Sequence, residues 1–234
     1  METEGENIEA GVRPSRTQRL LRFFQRKITR KKKPQYYFDK DKAVKKEIRI
    51  IGVDDAPFNR FKKGEVPVIG TIHRGGGALE GVVTTMIDVD GVNSTDRIVD
   101  MINKSRHKDQ LQCIMLDGIA VGGFNVIDIR ELADRTRLPV IVVIRNKPNI
   151  KKVLNALKNV PNSKEKAKLI AKAGRIRDVT VGDGKIYFQC KGIVVSKAKE
   201  MIQNAVSRGH MPEPIRTAHL IAAGIVEGES KGRA

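Results

Sequence analysis

Cysteine is scarce in this sequence, and its placement argues against a zinc site. Only Cys113 and Cys190 occur, both in apolar, strand-like runs without the paired Cys or His spacing that zinc requires. We expect them to be small buried thiols in a reducing compartment. This interpretation predicts an intracellular, cytoplasmic protein.

Long apolar runs are also missing. No stretch approaches the roughly 18 consecutive apolar residues that a membrane-spanning helix needs. The acidic start, Met-Glu-Thr-Glu-Gly-Glu, is unlike the basic start of a secretory signal. We therefore expect no membrane partner.

Several catalytic motifs are absent as well. The sequence has no Gly-x-Gly-x-x-Gly after its first strand and no Gly-Lys-Ser/Thr loop, which removes the usual support for a nucleotide cofactor. It also lacks a Gly-x-Ser-x-Gly elbow and a useful Cys/His arrangement, so nothing favours covalent acyl chemistry.

Acidic residues are outnumbered by basic ones, 27 to 45, which gives a formal charge of +18. Such a balance indicates a polyanionic partner, above all nucleic acid, because neutralising phosphates releases condensed counterions. The basic residues are densest in residues 1–45, and this change of composition predicts a domain boundary. We expect a disordered arm at 1–45, serving either as a nucleic-acid arm or as a solvated extension, and a folded domain at 46–234.

The folded part alternates between strand and helix patterns. Strands are predicted at 48–54, 66–73 and 79–89, and the Gly75-Gly76-Gly77 turn indicates that the last two form a hairpin. A helix over 94–104, a strand over 111–116, a helix over 126–135 and a strand over 139–144 follow. Further helices are predicted at 149–160, 163–173, 195–208 and 215–226, with a hairpin around Asp183-Gly184. The order predicts an α/β fold: a mixed sheet that starts with an antiparallel hairpin and carries helices on both faces.

Two apolar strands end on aspartate, at Asp54 and Asp117. Ligands of helix-covered sheets gather where the strands end, and carboxylates are the ligands that Mg²⁺ prefers. The pair therefore predicts a cation site, although a single Asp after a strand can equally well open a turn. A third acid could come from Asp90 or from Asp96, but Asp96 lies off the apolar face of its helix.

Other polar residues are candidates of lower specificity. His219 falls on the apolar stripe of the last helix, where a histidine is either a core residue or part of the site. Arg74, Gly75 and Gly76 form a cationic turn that a phosphate backbone could approach, and a plain hairpin explains them too. Backbone amides around Gly123 and Asn125 could contact a phosphate near Asp117.

Three blocks of the sequence resemble the endonuclease V superfamily, which has a ribonuclease H-like fold, and within it the archaeal endonuclease dU group. They are Gly-Val-Asp54-Asp55, then Leu-Asp117-Gly118 with the later Leu-Pro139-Val-Ile-Val-Val, and Met-Pro212-Glu-Pro-Ile-Arg-Thr-Ala-His219. The last block is the most specific of the three. Together they leave only the basic arm outside the resemblance.

The resemblance implies a metal-dependent endonuclease that hydrolyses DNA at or near a deaminated base, in DNA repair. It implies Asp54 and Asp117 as ligands of Mg²⁺, or of Mn²⁺, and His219 as an active-site residue; the family's glutamate would fall at Asp96. The Pro-Tyr-Ile-Pro wedge of endonuclease V has no match here, so the lesion preference of endonuclease V does not carry over. The name of the closer group implies deoxyuridine in DNA rather than deoxyinosine. The alternative is a non-catalytic nucleic-acid-binding protein of the same fold, acting on RNA. The oligomeric state stays open.

Overall fold

A computed structural model describes residues 35–230. Within them, the chain forms nine strands and six helices, joined by short loops and one 3-10 turn at Lys108–Gln110. The strands are β1 (Arg49–Asp55), β2 (Glu65–Arg74), β3 (Leu79–Asp88), β4 (Cys113–Asp117), β5 (Ala120–Val121), β6 (Asn125–Val126), β7 (Val140–Ile144), β8 (Arg177–Val181) and β9 (Gly184–Lys191). The helices are α1 (Ser94–Asn103), α2 (Ile129–Thr136), α3 (Ile150–Leu157), α4 (Ser163–Lys172), α5 (Val195–Asn204) and α6 (Glu213–Glu227).

Seven of these strands form one mixed sheet in the order β3-β2-β1-β4-β7-β9-β8, and β5 pairs with β6 separately. The strands β1, β4 and β7 run parallel, whereas the pairs at both sides of this centre are antiparallel. The predicted fold class, with its antiparallel hairpin first, is therefore confirmed.

The central strands are buried on both faces, and successive residues serve two different cores. Ile51 and Val53 of β1 pack in one core with Ile98 of α1 and Leu132 of α2. Ile50 points into a second core. Because neighbouring strand residues face opposite sides of the sheet, helices cover both faces, as predicted.

The last helix is set directly on the first strand at Gly52. A Cβ atom built on Gly52 would lie 2.2 Å from the carbonyl carbon of Pro214, so only glycine lets the helix approach this closely. The hydroxyl of Thr71 on β2 donates to the carbonyl oxygen of Pro214 at 2.6 Å. This anchoring fixes where the remainder of α6, including His219, meets the sheet.

The predicted arm falls largely on residues 1–34, which lie outside the described residues. Its last part, however, packs on the folded domain: Phe38 and Val44 are buried in the second core. The backbone N–H of Tyr37 also donates to the carbonyl oxygen of Gly192 at 2.7 Å. The folded part therefore extends to the N-terminal side of residue 46.

Three helix boundaries differ from those predicted by three residues or more: the start of α2, the end of α3, which is Leu157 instead of 160, and the end of α5. Helix α2 begins at Ile129 instead of 126, because the carboxylate of Asp128 accepts hydrogen bonds from the backbone N–H groups of Arg130 and Glu131 and so caps the helix. Helix α5 ends at Asn204, before the predicted 208. Within residues 35–230, no helix is long and apolar enough to span a membrane.

Candidate metal centre

Asp54, Asp117 and His219 come together at one edge of the sheet. Asp54 lies near the end of β1 and Asp117 at the end of β4, and because these two strands are parallel neighbours, their ends meet. Asp54 and Asp117 both point to the face of the sheet that α6 covers, and His219 of α6 therefore lies against them. One ligand atom from each of the three side chains lies within 4.8 Å of the other two. The three expected residues thus form one cluster.

Asp54 is the most enclosed member of the cluster, with 8% of its side chain exposed. Its Oδ2 lies 2.9 Å from Nδ1 of His219, and its Oδ1 accepts the backbone N–H of Asp55 at 2.9 Å. The imidazole of His219 is more open, with 39% of its side chain exposed. Asp54 therefore fixes the orientation of a ring that solvent, or a ligand, can still reach.

The carboxylates carry more negative charge than their surroundings neutralise. Burial and the neighbouring Asp54 raise the pKa of Asp117 well above its ordinary value, although Arg145 and His219 act in the opposite direction. The hydrogen bond to Asp54, and then the charges of Asp54 and Asp117, raise the pKa of His219 despite its partial burial. Asp54 contributes to both shifts, through its charge for Asp117 and through its hydrogen bond and its charge for His219.

This arrangement fits a divalent cation. The two carboxylates supply the oxygen ligands that Mg²⁺ and Mn²⁺ prefer, and a half-open site leaves positions for substrate oxygens. Asp54 and Asp117 would hold the ion most directly, since they supply its preferred oxygen atoms. The close pair of carboxylates supports this fit, because a bound cation would relieve the repulsion from Asp54 that, after burial, raises the pKa of Asp117.

Asp55, which follows Asp54 in the sequence, is a further acid near the cluster. It does lie on the opposite side of β1 from Asp54, as strand alternation requires, and its Oδ2 accepts the backbone N–H of Gly122 at 2.9 Å. Burial and the charge of Asp54 raise the pKa of Asp55 to about 6. Its adjacency to Asp54 was the signal available in the sequence, because two neighbouring acids influence each other's charge even from opposite faces of a strand.

Neither candidate for the third acid joins the described cluster. Asp96 keeps 69% of its side chain exposed and pairs with Arg135 of α2. Asp90 accepts the backbone N–H of Phe124 at 2.7 Å through Oδ1, and its own carbonyl oxygen accepts from the buried ammonium of Lys166 at 2.6 Å. Both acids therefore have structural partners away from Asp54 and Asp117.

The cationic hairpin turn lies at the opposite end of the sheet from the cluster. Arg74 pairs in register with Arg49 at the start of β1, whereas Asp54 stands near the end of that strand. The guanidinium of Arg74 forms an ion pair with Glu80. Gly75 and Gly76 pack closely: a Cβ on Gly75 would lie 2.0 Å from the carbonyl oxygen of Lys46, and the carbonyl oxygen of Gly76 accepts from Ser207. The turn serves packing and does not face the metal centre.

Gly123 and Asn125 also have structural partners. Asn125 is fully buried; its Oδ1 accepts the backbone N–H of Ser94 at 3.0 Å and its Nδ2 donates to the carbonyl oxygen of Asp88 at 2.9 Å. A Cβ on Gly123 would lie 2.5 Å from Oδ1 of Asp90, so this glycine makes room for that carboxylate. The expected phosphate contact at these residues stays a prediction. Two of the nearby backbone N–H groups, those of Gly122 and Phe124, already donate hydrogen bonds to Asp55 and Asp90.

Comparison with known proteins identifies a family over most of the chain. Residues 46–226 match the family model described as endonuclease dU. A UPF0215 protein of Methanothermobacter thermautotrophicus is 46% identical over 194 residues, which cover 82% of this chain and 95% of the relative.

Solved structures show the same fold. A protein of unknown function from Archaeoglobus fulgidus is 36% identical, with a TM-score of 0.70 over 77% of this chain and 99% of its own. An endonuclease V of Ciona intestinalis, solved with a 24mer DNA containing an inosine, is 13% identical with a TM-score of 0.52, over 86% of this chain and 94% of its own. At that identity the likeness is one of fold, and it agrees with the predicted ribonuclease H-like architecture.

Proposed function

Because the chain belongs to the endonuclease dU family, we propose that it is a metal-dependent endonuclease that hydrolyses phosphodiester bonds in DNA at or near deaminated bases. The observation that carries the proposal is the convergence of Asp54, Asp117 and His219 at one sheet edge. One carboxylate at 2.9 Å would satisfy a structural histidine, but it does not explain the second carboxylate, Asp117, within 4.8 Å of both.

The cluster residues and the neighbouring Asp55 divide into metal ligands, a residue that contacts substrate or water, and a supporting residue. Asp54 and Asp117 hold the metal, which when bound stabilises negative charge on the phosphate oxygens. His219 is oriented through Nδ1 by Asp54, which leaves Nε2 as the ring atom that can hold a phosphate oxygen or a water and carry its proton. Asp55 fixes the Gly122 loop beside these groups through its hydrogen bond.

Deoxyuridine in DNA is the proposed lesion, and DNA repair the proposed context. The family's description supports the lesion, and the formal charge of +18 supports a nucleic-acid substrate. The Ciona intestinalis endonuclease V, a protein of this fold, was solved with DNA that contains an inosine followed by a ribo-adenosine. Mg²⁺ is the proposed ion, with Mn²⁺ as the expected substitute.

Strand scission of defined oligonucleotides tests the proposal. Oligonucleotides that contain one uracil, one hypoxanthine or no damaged base are incubated with Mg²⁺, with Mn²⁺ and with a chelator. We expect cleavage of the uracil strand that requires the metal. RNA oligonucleotides of matching sequence are tested in the same way. If the protein binds these DNA and RNA strands but cleaves none of them with metal, the result would instead favour the non-catalytic nucleic-acid-binding protein.

The variant Asp117→Asn links the activity to the cluster. It removes one charge and little volume, so we expect it to abolish cleavage while DNA binding remains. Asp178→Asn is the matched control, since Asp178 is half exposed and pairs with Lys185 on β8 and β9. Cleavage that persists in Asp117→Asn, or is lost equally in Asp178→Asn, contradicts the assignment.

A further inference from the structure

The loop between β1 and β2, residues 56–64, exposes an aromatic ring at the end of the sheet where Asp54 and Asp117 lie. Phe61 keeps 85% of its surface exposed, more than any other large hydrophobic residue in the described part of the chain. Burying such a ring in a core would stabilise the fold by removing apolar surface from water, and this loop forgoes that contribution. A single exposed apolar side chain is ordinary on a protein surface, and it marks a binding site only where an ordered loop and complementary groups surround it.

Both ends of the loop are fixed to the sheet. The backbone N–H of Ala56, next to Asp55, donates to the carbonyl oxygen of Pro67 at 2.9 Å. At the other end, the carbonyl oxygen of Gly64 accepts the backbone N–H of Val89 at 2.9 Å. Phe58 packs against the first core. These contacts keep the loop at the sheet edge where Asp54 and Asp117 lie.

The tip of the loop is also ordered, by Asn59. Its side-chain Oδ1 accepts the backbone N–H of Phe61 at 2.9 Å, and its carbonyl oxygen accepts that of Lys62 at 3.0 Å. The guanidinium of Arg60 lies 5.2 Å from the centre of the Phe61 ring, within the range of a cation–π interaction. The ring thus has a cation on one side and open space elsewhere.

A cavity of about 510 Å³ adjoins this tip. Its lining combines the aromatic ring with cations from the loop, Arg60, Lys62 and Lys63, and with carboxylates from the facing segments, Glu65, Asp88 and Asp90. A simple anion would be repelled by the carboxylates, and an apolar ligand would leave both sets of charges without partners. A nucleotide matches all three parts: its base stacks on a ring, its phosphate pairs with lysine, and its base N–H groups donate to carboxylates.

We propose that this loop binds an unpaired nucleotide of the substrate strand, with its base stacked on Phe61. The inference rests on the proposed function, since it concerns the substrate of the same nuclease. Every base has a π-face, so the stacking holds a flanking or displaced nucleotide regardless of its identity. Recognition of the lesion itself lies elsewhere in the site. The substrate class is therefore DNA that is single-stranded or locally unpaired.

The absence of tryptophan from the whole sequence allows a direct test. Phe61→Trp creates a single tryptophan whose fluorescence reports stacking, and Leu79→Trp, at the exposed hairpin at the other end of the sheet, is the control. Both full-length variants are titrated with single-stranded and fully paired oligonucleotides in the presence of a chelator, which prevents cleavage. Binding is followed independently by the anisotropy of a label on the oligonucleotide.

We expect single-stranded DNA to quench Phe61→Trp strongly, paired DNA to quench it less, and neither to affect Leu79→Trp. Binding detected by anisotropy without a change in the Phe61→Trp emission overturns the inference and leaves the proposed nuclease intact. Quenching in a protein that never cleaves supports the nucleotide site and contradicts the nuclease instead.

Affinity separates stacking from a general apolar contact. Phe61→Ala and Phe61→Leu should each raise the Kd for single-stranded DNA by about tenfold, whereas Phe61→Tyr should retain the affinity, because only the aromatic variants can stack. The increase should be equal for uracil-containing and undamaged strands. Full affinity in Phe61→Leu, or a loss confined to one base, overturns the stacking assignment; the former result would fit an apolar contact with a protein partner.

Discussion

At the scale of single residues, the two adjacent acids of β1 differ in position and therefore in expected effect. Asp54 faces His219 and Asp117, whereas Asp55 faces the Gly122 loop on the other side of the strand. Asp54→Asn should abolish metal-dependent cleavage because it removes a ligand charge. Asp55→Asn keeps an oxygen that accepts the Gly122 N–H and should lower metal affinity or activity only about 10- to 100-fold, as expected for a supporting residue.

Titration of cleavage rate against Mg²⁺ concentration measures this difference. Asp55→Asn should recover activity at higher Mg²⁺, whereas Asp54→Asn should not. Equal and complete loss in both variants would mean that Asp55 is itself a ligand, and unchanged activity in Asp55→Asn would remove it from the site.

The residues of the site show where sequence reasoning reaches its limit. Asp54 and Asp117 were predictable because each ends an apolar run, and parallel strands bring such ends together. The sequence did not decide between Asp96 and Asp90 as the third acid. Their bonding partners, Arg135 and Phe124, are distant in sequence. Only tertiary contacts decide which of several acids near a strand end stays available to bind a cation.

At the scale of elements, the contact between α6 and β1 makes Gly52 critical. Gly52→Ala places a methyl group against the backbone of Pro214, which cannot yield as a side chain could. We expect a loss of at least about 1–3 kcal/mol in the free energy of unfolding, as for other overpacked cores, and a displaced His219. Chemical denaturation measures the first effect and cleavage rate the second.

Gly224 provides the matched control for that substitution. It lies in the same helix, and a Cβ atom added to it would meet no neighbouring atom within 4 Å. Gly224→Ala should stabilise the protein by up to about 1 kcal/mol, because alanine is the better helix former. A Gly52→Ala variant as stable as Gly224→Ala would contradict the close packing of α6 on β1.

The cap of α2 yields a prediction that depends on pH. Burial alone would raise the pKa of Asp128, but its bonds to Lys172 and to the first backbone N–H groups of α2 outweigh this and hold the pKa below its ordinary value. The ionised form therefore stabilises the fold above the unfolded pKa of about 4, and this contribution is lost as pH falls through the folded value. Asp128→Ala should cost about 1–2 kcal/mol near neutral pH.

Asp128→Asn separates the cap from the charge, since asparagine caps helices as well as aspartate does. The difference in unfolding free energy between wild type and Asp128→Asn should be largest near neutral pH and shrink below about pH 4. Urea denaturation at several pH values measures it. A difference that is independent of pH would show that the ion pair with Lys172 contributes nothing.

The elements themselves were largely predictable, because most of them carry a regular apolar period. Strands β1, β4 and β7 are apolar on both faces, which identifies them as central, and the alternation of strands and helices fixes the mixed sheet. The short pair β5 and β6 escaped prediction because two residues per strand carry no period. The start of α2 was misplaced because Asp128, a cap, lies within an apolar stretch.

At the scale of the whole molecule, composition located the domain boundary too late in the chain. Basic residues resume at Lys45 and Lys46, although Phe38 and Val44 ahead of them already belong to the core. Charge follows solvent exposure and not fold membership, so a basic run can include residues that anchor a domain. Removal of residues 1–45 would therefore combine the loss of an arm with the loss of buried side chains.

Removal of residues 1–34 tests the arm by itself. Residues 1–34 contain ten Lys and Arg against four Glu. If these cations neutralise phosphates of duplex DNA, their removal should flatten the dependence of log K on log salt by about 0.9 for each phosphate that they neutralise, while the folded domain keeps its stability and cleavage. Removal of residues 1–12 is the matched control, since it takes away the four Glu and no Lys or Arg. Fluorescence anisotropy between about 50 and 200 mM salt, the range in which such binding changes steeply, gives the slopes. An unchanged slope after removal of 1–34 would make the arm a solvated extension and assign the charge-driven binding to the folded domain.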